Sequence, residues 1–168
     1  LEEQANYAGR EDSKEGNLII TGHPGNGKTT LAIDIVKVLQ KQRKVKGAKL
    51  AKVSGEVFNK KNPEEVIQKL GGGALIIERA GRLKDEIVEL LSAAMEEQTS
   101  GLLVILEDDI SEIKCLMKKH ESFAEKFNRC FADIPVMRTN LLTGIASPYK
   151  AVRLYHFKLI GCYIFSLG

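Results

Sequence analysis

The fold of this chain is decided by residues 18–32, which read LIITGHPGNGKTTLA. The first four, Leu18-Ile19-Ile20-Thr21, form a short β-branched run that is typical of a buried parallel strand. The next eight fit the pattern G-x-x-x-x-G-K-[ST] at every fixed position. From Thr29 to about Arg43, apolar residues recur every three or four positions, which predicts an amphipathic helix. The motif therefore has the order of strand, loop and helix that a phosphate-binding loop requires.

The loop residues predict a site for a nucleoside triphosphate and Mg²⁺. Glycines let successive backbone amides point at phosphate oxygens, and the following helix presents its positive N-terminal end to the same anion. Lys28 is expected to reach the β and γ phosphates, and Thr29 to place its hydroxyl on Mg²⁺. The residues predicted to bind ATP or ADP are Gly22, Pro24, Gly25, Asn26, Gly27, Lys28, Thr29 and Thr30. A glycine-rich turn without a ligand is disfavoured, because every determinant of the motif is in register.

Strand-like and helix-like segments alternate after this motif. Strands are predicted at 48–54, 74–77, 102–106 and 130–134, and helices between residues 62 and 71, at 85–98 and at 111–126. Wholly apolar runs such as 102–106 are typical of strands buried on both faces. The alternation predicts an α/β fold, specifically a three-layer αβα sandwich with a five-stranded parallel sheet.

The composition fits one packed domain with unevenly distributed charge. The chain has 168 residues, 43% of them hydrophobic, and a net charge of +3, which suits a single core. Residues 138–168 contain four basic residues and no Asp or Glu. The remainder is nearly neutral and gives no electrostatic reason to expect nucleic-acid binding. We expect a polar N-terminal linker at 1–16, a nucleotide-binding core at 17–137 and a basic, hydrophobic tail at 138–168.

The cysteines and the apolar runs bear on cellular location. Cys115, Cys130 and Cys162 are widely spaced and form no CxxC pair, so neither a disulfide framework nor a zinc site is indicated. No apolar run approaches the roughly 18 residues of a membrane span, and the N-terminus lacks the apolar core of a signal peptide. We expect a soluble, cytoplasmic protein without a transmembrane segment. Because the chain starts at Leu1, we also expect it to be a piece of a longer protein.

The strand Ala74-Leu75-Ile76-Ile77 introduces the second half of the predicted site. In P-loop enzymes a second strand ends in an acidic residue that orients Mg²⁺, often followed by a carboxylate that activates water. Glu78 can fill the metal role and is the candidate catalytic carboxylate. Arg79 occupies the place of the second carboxylate, and a guanidinium cannot accept a proton from water at neutral pH.

Four blocks of sequence form a set that points to a family. They are GHPGNGKTTLA at 22–32, GGALIIERAGRL at 72–83, LLVILEDD at 102–109 and FAEKFNRCFADIP at 123–135. Together they resemble the AAA+ ATPases of the CbxX/CfqX group, which includes CbbX and the sporulation and type VII secretion AAA proteins. The resemblance runs from Asn17 to about Pro135, and its first block is specific for P-loop proteins.

The resemblance implies roles for further positions. A polar sensor ends the next strand in the family, and the matching residue here is Glu107 or Asp108, although an acid facing a phosphate would repel it. An Arg before the final strand reaches the nucleotide of the neighbouring subunit. The matching residue is Lys126, which lacks the guanidinium fork, with Arg129 as a second candidate. The helical lid of the family is missing from the pattern of residues 138–168.

These departures imply a degenerate AAA+ module that holds ATP or ADP and hydrolyses it slowly or not at all. The resemblance implies other AAA+ subunits or domains as partners, in a ring formed by the full-length protein. A competent ATPase and an interaction domain are the alternatives. A GTPase is disfavoured because Asn59-Lys60-Lys61-Asn62 lacks the Asp of N-K-x-D, and a kinase because no basic lid precedes residue 137. The tail is expected to pack on the core, with a membrane or partner contact as the alternative.

Overall fold

Strands and helices alternate in the computed structural model, which describes residues 11–131. The strands are β1 (Leu18–Thr21), β2 (Leu50–Ser54), β3 (Ala74–Glu78), β4 (Leu103–Asp108) and β5 (Arg129–Phe131). The helices are α1 (Lys28–Lys41), α2 (Gly55–Phe58), α3 (Pro63–Leu70), α4 (Asp85–Glu96), α5 (Ile110–Lys119) and α6 (Glu121–Ala124). A 3₁₀ turn, Ala80–Arg82, follows β3.

The strands form one parallel sheet in the order β2-β3-β4-β1-β5. Helix α1 covers one face, where Leu31, Ile35 and Val36 join a buried cluster with Ile20 and Ile105. The other face is covered by the helices from α2 to α6, whose buried members include Phe58, Leu70, Val88, Leu91, Leu116 and Phe123. The predicted three-layer αβα sandwich with a five-stranded parallel sheet is therefore confirmed. Parallel strands place their carboxyl ends at one edge of the sheet, which is where ligands bind in such folds.

Helix α3 forms where the sequence predicted it and for the predicted reasons. The side chain of Asn62 caps its N-terminus by accepting a hydrogen bond from the backbone N–H of Glu64 at 3.1 Å. Pro63 occupies the first turn, where its missing N–H costs nothing. The helix ends at Gly71, which adopts the left-handed conformation with a φ of 52°.

Among the differences from the sequence-based prediction, three concern the helices of one face or the end of a strand at the site. The segment predicted as one helix at 111–126 is two, α5 and α6, because His120 leaves helical geometry at φ −127° and ψ 75°. Helix α2 was not predicted, since its four residues are too short to show a period. Strand β4 extends past its apolar run through Glu107 to Asp108. The prediction ended the strand at residue 106 because these two residues are acidic and do not continue the apolar run.

Residues 11–16 carry no helix or strand, but they are attached to the core. The backbone N–H of Ser13 donates to the carbonyl of Met95 at 2.8 Å, and its hydroxyl lies 2.6 Å from the hydroxyl of Thr99. Asn17, which follows, is 1% exposed. The other predictions for the termini, including the tail and the absence of a lid at 138–168, lie outside the described residues.

Candidate nucleotide and magnesium site

The loop at residues 22–27 connects the carboxyl end of β1 to the start of α1. Gly25 and Gly27 have φ values of 82° and 80°, in the left-handed region that favours glycine. Gly27 is the N-cap of α1, and no side chain makes a capping hydrogen bond there. The first-turn amides of this 14-residue helix therefore lack a side-chain acceptor and, together with the helix dipole, present an anion site.

Lys28 lies across the mouth of this loop. Its Nζ donates hydrogen bonds to the carbonyl oxygens of Gly22 and His23, each at 2.8 Å. The ammonium is thus positioned by the loop backbone at the place where the motif puts phosphate. A phosphate would compete with neutral carbonyls for this ammonium, and charge-assisted hydrogen bonds are the stronger ones.

Thr29 brings two carboxylates together at the base of the loop. Its hydroxyl oxygen Oγ1 lies 2.7 Å from Glu78 Oε1 and 2.8 Å from Glu107 Oε2. A hydroxyl has one proton, so it can donate to only one carboxylate and must accept from the other. One of the two carboxyl groups is therefore protonated when both hydrogen bonds are formed.

Glu107 is the carboxyl group that the structure favours for this proton. Its side chain is 2% exposed, and this burial raises its pKa to about 7, with the charge of Glu78 adding to the rise. A hydrogen bond that Thr29 donates to the ionised form of Glu107 acts in the opposite direction and lowers the same pKa. A protonated Glu107 that donates to Thr29, which in turn donates to Glu78, satisfies both short distances.

The donor atoms at this position suit Mg²⁺, the metal that the motif implies. One hydroxyl and two carboxylates are hard oxygen ligands, and Glu107 Oε1 is buried without a hydrogen-bond partner. No cluster of three or more His, Cys, Asp or Glu side chains within residues 11–131 could hold a metal unaided. Mg²⁺ commonly takes one or two carboxylates and completes its shell with phosphates and water. Thr29 and Glu78, the predicted metal residues, would hold it, and the ion would neutralise phosphate charge.

The structure distinguishes the two candidates for the sensor position. Glu107 faces the loop, as described above. Asp108 points to the opposite side of the sheet, where Oδ2 accepts from the N–H of Gly81 at 2.8 Å and Oδ1 from the N–H of Asp109 at 2.7 Å. Asp108 therefore fixes the turn after β3. Consecutive residues of a strand point to opposite faces of the sheet, so the direction of one acid fixes that of the other. The sequence of two adjacent acids does not show which of them faces the ligand.

Arg79 turns away from the loop. The residue adopts the left-handed conformation at φ 48° and ψ 53°, and its side chain is 66% exposed. The guanidinium Nη1 lies 3.4 Å from Glu56 Oε1 on α2. The position that follows Glu78 thus supplies a cation paired on the surface and no proton acceptor at the loop.

Lys126, predicted as a finger toward a neighbouring subunit, is buried within its own chain. It is 4% exposed, and Nζ donates to Glu96 Oε1 at 2.9 Å and to the carbonyl of Ser122 at 3.2 Å. To reach another nucleotide, this ammonium would have to leave the ion pair. Arg129 opens β5, and its side chain lies outside what the structure describes.

The remaining predicted loop residues line its outer side. Pro24 and Thr30 are exposed, and Asn26 is partly buried. His23 Nδ1 lies 3.6 Å from Asp109 Oδ1. This contact connects the loop to the end of β4.

Several known proteins are similar to this chain. The sequence matches the family described as AAA domain over residues 4–121. Protein CfxQ of Xanthobacter flavus is 31% identical over 79% of this chain and 42% of that protein. The chloroplastic cbbX homolog of Guillardia theta is 26% identical over 87% of this chain and 40% of that protein. The ESX-1 secretion system protein EccA1 of Mycobacterium tuberculosis is 30% identical over 66% of this chain and 22% of that protein.

A solved structure shares the fold. The P-loop NTPase domain of the Sigma-54 transport activator from E. coli superposes with a TM-score of 0.52 at 18% identity, over 74% of this chain and 88% of that one. The chain spans about two fifths of the length of the first two relatives. Within residues 11–131, none of the helices combines the length and the apolarity that crossing a membrane requires.

Proposed function

The chain belongs to the AAA domain family and matches members of its CbxX/CfqX group, and from this premise we propose that it is a nucleotide-holding domain of a remodelling or assembly ATPase. It binds ATP or ADP with Mg²⁺ and hydrolyses the triphosphate weakly or not at all. The observation that carries the proposal is the phosphate loop with Lys28 and Thr29 in place beside Glu78, while Arg79 stands where a base is needed.

The binding half of the proposal rests on the uncapped start of α1 and on the position of Lys28. The N-terminus of α1 offers backbone donors and a positive dipole end. The Lys28 ammonium is held only by neutral carbonyls of the loop in the contacts described. Both features favour an anion that carries several phosphate oxygens.

The hydrolysis half rests on the residues that follow β3. A general base must accept a proton from water, and an arginine stays protonated at any working pH. Arg79 is also directed to Glu56, away from the loop. Glu78 accepts the hydrogen bond of Thr29 and lies 3.9 Å from Lys52 Nζ. These contacts support a metal role for Glu78 more than a role as base.

A competent ATPase is the second candidate, and one observation favours it. Glu107, buried beside Thr29, has a pKa of about 7, and a general base works best when its pKa lies near the working pH. Glu107 could therefore accept the proton that Arg79 cannot.

Assembly is proposed by analogy with the family. We expect other AAA+ subunits or domains as partners, in a ring of the longer protein, without nucleic acid and in the cytoplasm. Because Lys126 pairs with Glu96 inside its own chain, Arg129 is the residue we propose for contact with a neighbouring nucleotide. The same proposal includes a remodelling or assembly role for the longer protein.

Binding of fluorescent ATP and ADP, with and without Mg²⁺, tests the proposed function, and phosphate release is followed on the same samples. The variants are Lys28→Ala and, as matched control, Lys61→Ala, which removes an exposed lysine outside the loop. We expect binding to be lost in Lys28→Ala only, with negligible release from the unmodified chain. Robust release would establish the competent ATPase, and no binding at all would leave an interaction domain.

A further inference from the structure

We propose that Glu107 is a second carboxylate of the magnesium site, so that the ion faces Glu78 and Glu107 together with the Thr29 hydroxyl. The inference rests on the proposed nucleotide and Mg²⁺ binding and adds a residue to it. In this arrangement Glu107 serves as a metal ligand group and not as a phosphate sensor.

The first support is the geometry around Thr29. The two carboxylates approach one hydroxyl oxygen at 2.7 and 2.8 Å. Glu78 and Glu107 are also register partners on neighbouring parallel strands, whose backbones run about 4.8 Å apart. A cation that binds the Thr29 hydroxyl therefore lies within reach of both carboxylates.

The second support is the buried oxygen that has no partner. Glu107 is 2% exposed, and its Oε1 makes no hydrogen bond. Burying a carboxylate without a cation or a donor is costly, so such a group takes up a proton, pairs with a cation or coordinates metal. This unpaired oxygen belongs to the same carboxyl group that contacts Thr29, and a cation bound here would give it a partner.

The third support is the local charge. Two carboxylates beside a polyphosphate would repel it, and Lys52, at 3.9 Å from Glu78 Oε1, is half exposed and weakly coupled. Lys28 is turned toward the loop carbonyls. A divalent cation that binds here displaces the proton of Glu107 and balances the two ionised carboxylates beside the phosphates. An acid at the sensor position then becomes favourable.

In the proposed site the protein supplies one hydroxyl and two carboxylates, which is one carboxylate more than Thr29 and Glu78 alone provide. Such a site is expected to bind a divalent cation measurably before nucleotide arrives. It is also expected to retain the ion when ADP is bound, which suits a domain that holds nucleotide.

Mn²⁺ alone is the probe that tests this inference, because it shares the oxygen ligands of Mg²⁺ and its free form is counted by electron paramagnetic resonance. The titration uses the full chain, first without nucleotide and then with ADP. The variants are Glu107→Gln and Glu78→Gln. Glu89→Gln, which removes an exposed carboxylate from α4, is the matched control. We expect one bound ion, an affinity about tenfold or more weaker in both site variants, and no change in the control.

Fluorescent ADP binding in the presence of EDTA is measured on the same variants. Glu107→Gln should bind metal-free ADP as well as the unmodified chain, since the amide keeps the shape of the protonated carboxyl group and stays uncharged. That result shows an intact phosphate loop and separates metal loss from misfolding. If the unmodified chain binds no ADP, the proposed function fails, while the Mn²⁺ titration still decides the metal site.

Two results would overturn the inference. One is Mn²⁺ binding by Glu107→Gln equal to that of the unmodified chain in both titrations. The other is the absence of saturable Mn²⁺ binding to the unmodified chain with and without ADP.

Discussion

Glu78 and Glu107 are register partners at the carboxyl ends of two neighbouring parallel strands, and both contact the hydroxyl of Thr29. They are separated by a helix and a turn in the chain, yet the sheet places them side by side. Their proximity makes the site sensitive to protons and metal ions, because the charge of Glu78 disfavours ionisation of the buried Glu107 and raises its pKa further.

The stability of the chain without metal or nucleotide should depend on pH through Glu107. Its folded-state pKa is about 7, against an ordinary 4.5, so the folded chain binds this proton more tightly between those values. The free energy of unfolding therefore falls as pH rises through that window, by about 3 kcal/mol in total. Urea denaturation in EDTA at pH 5 and pH 8 measures the change.

Glu107→Gln serves as the control for this pH dependence. It keeps the shape of the side chain and removes the titration. Its free energy of unfolding, relative to that of the unmodified chain, should therefore increase between pH 5 and pH 8. Parallel stability curves for the two chains would contradict the assignment of the proton to Glu107.

Thr29→Ala should uncouple nucleotide binding from the metal. The variant keeps Lys28 and the loop amides but loses the hydroxyl that gathers the carboxylates. We expect the gain in ADP affinity on adding Mg²⁺ to shrink by about tenfold, with metal-free affinity nearly unchanged. Isothermal titration with Mg²⁺ or EDTA measures both affinities. Ser122→Ala, an exposed hydroxyl on α6, is the control, and an equal loss in both buffers would argue against a metal role.

At position 79, glycine should give a more stable protein than alanine, the opposite of their usual order within a helix or strand. Both Arg79→Gly and Arg79→Ala remove the ion pair with Glu56, so only the backbone preference differs. At φ 48° and ψ 53° an L-residue is strained by about 1–2 kcal/mol, and glycine is not, which outweighs its larger unfolded-state entropy. Arg79→Gly should therefore be the more stable by about 0.5–1 kcal/mol in thermal unfolding. A more stable alanine variant would show that the turn relaxes.

Asn17 should be among the most sensitive positions outside the site. Its buried amide donates to the carbonyls of Ser13 and Lys126 at 2.8 and 2.9 Å and accepts from the N–H of Val104 at 3.0 Å. Asn17→Ala leaves the N–H of Val104 and the carbonyl of Ser13 without this amide, while the carbonyl of Lys126 keeps the backbone N–H of residue 17 at 3.4 Å. The substitution should lower the free energy of unfolding by about 2–4 kcal/mol. Urea denaturation measures the loss, with Gln68→Ala, an exposed amide on α3, as control. A loss as small as that of the control would mean that water replaces the amide.

Much of the fold was predictable because its signals are local. The strand of Leu18–Thr21, the glycine loop and the amphipathic α1 are adjacent in the chain, so their types and spacing specify one another. Asn62 and Pro63 likewise mark the start of α3 without any distant contact. The boundaries that differed, at His120 and at the end of β4, depend on packing and on polar groups at the sheet edge.

By itself, the sequence determined the α/β alternation, the phosphate loop and the presence of Arg79 where a carboxylate is expected. Only the tertiary structure decided that Glu107 faces Thr29 while Asp108 faces Gly81, and that Lys126 pairs with Glu96 inside the chain. The reason is physical: the facing of a strand residue follows from which side of the sheet each helix covers, and the pairing of Glu78 with Glu107 follows from a register between strands. Both are fixed by long-range packing that no local pattern records.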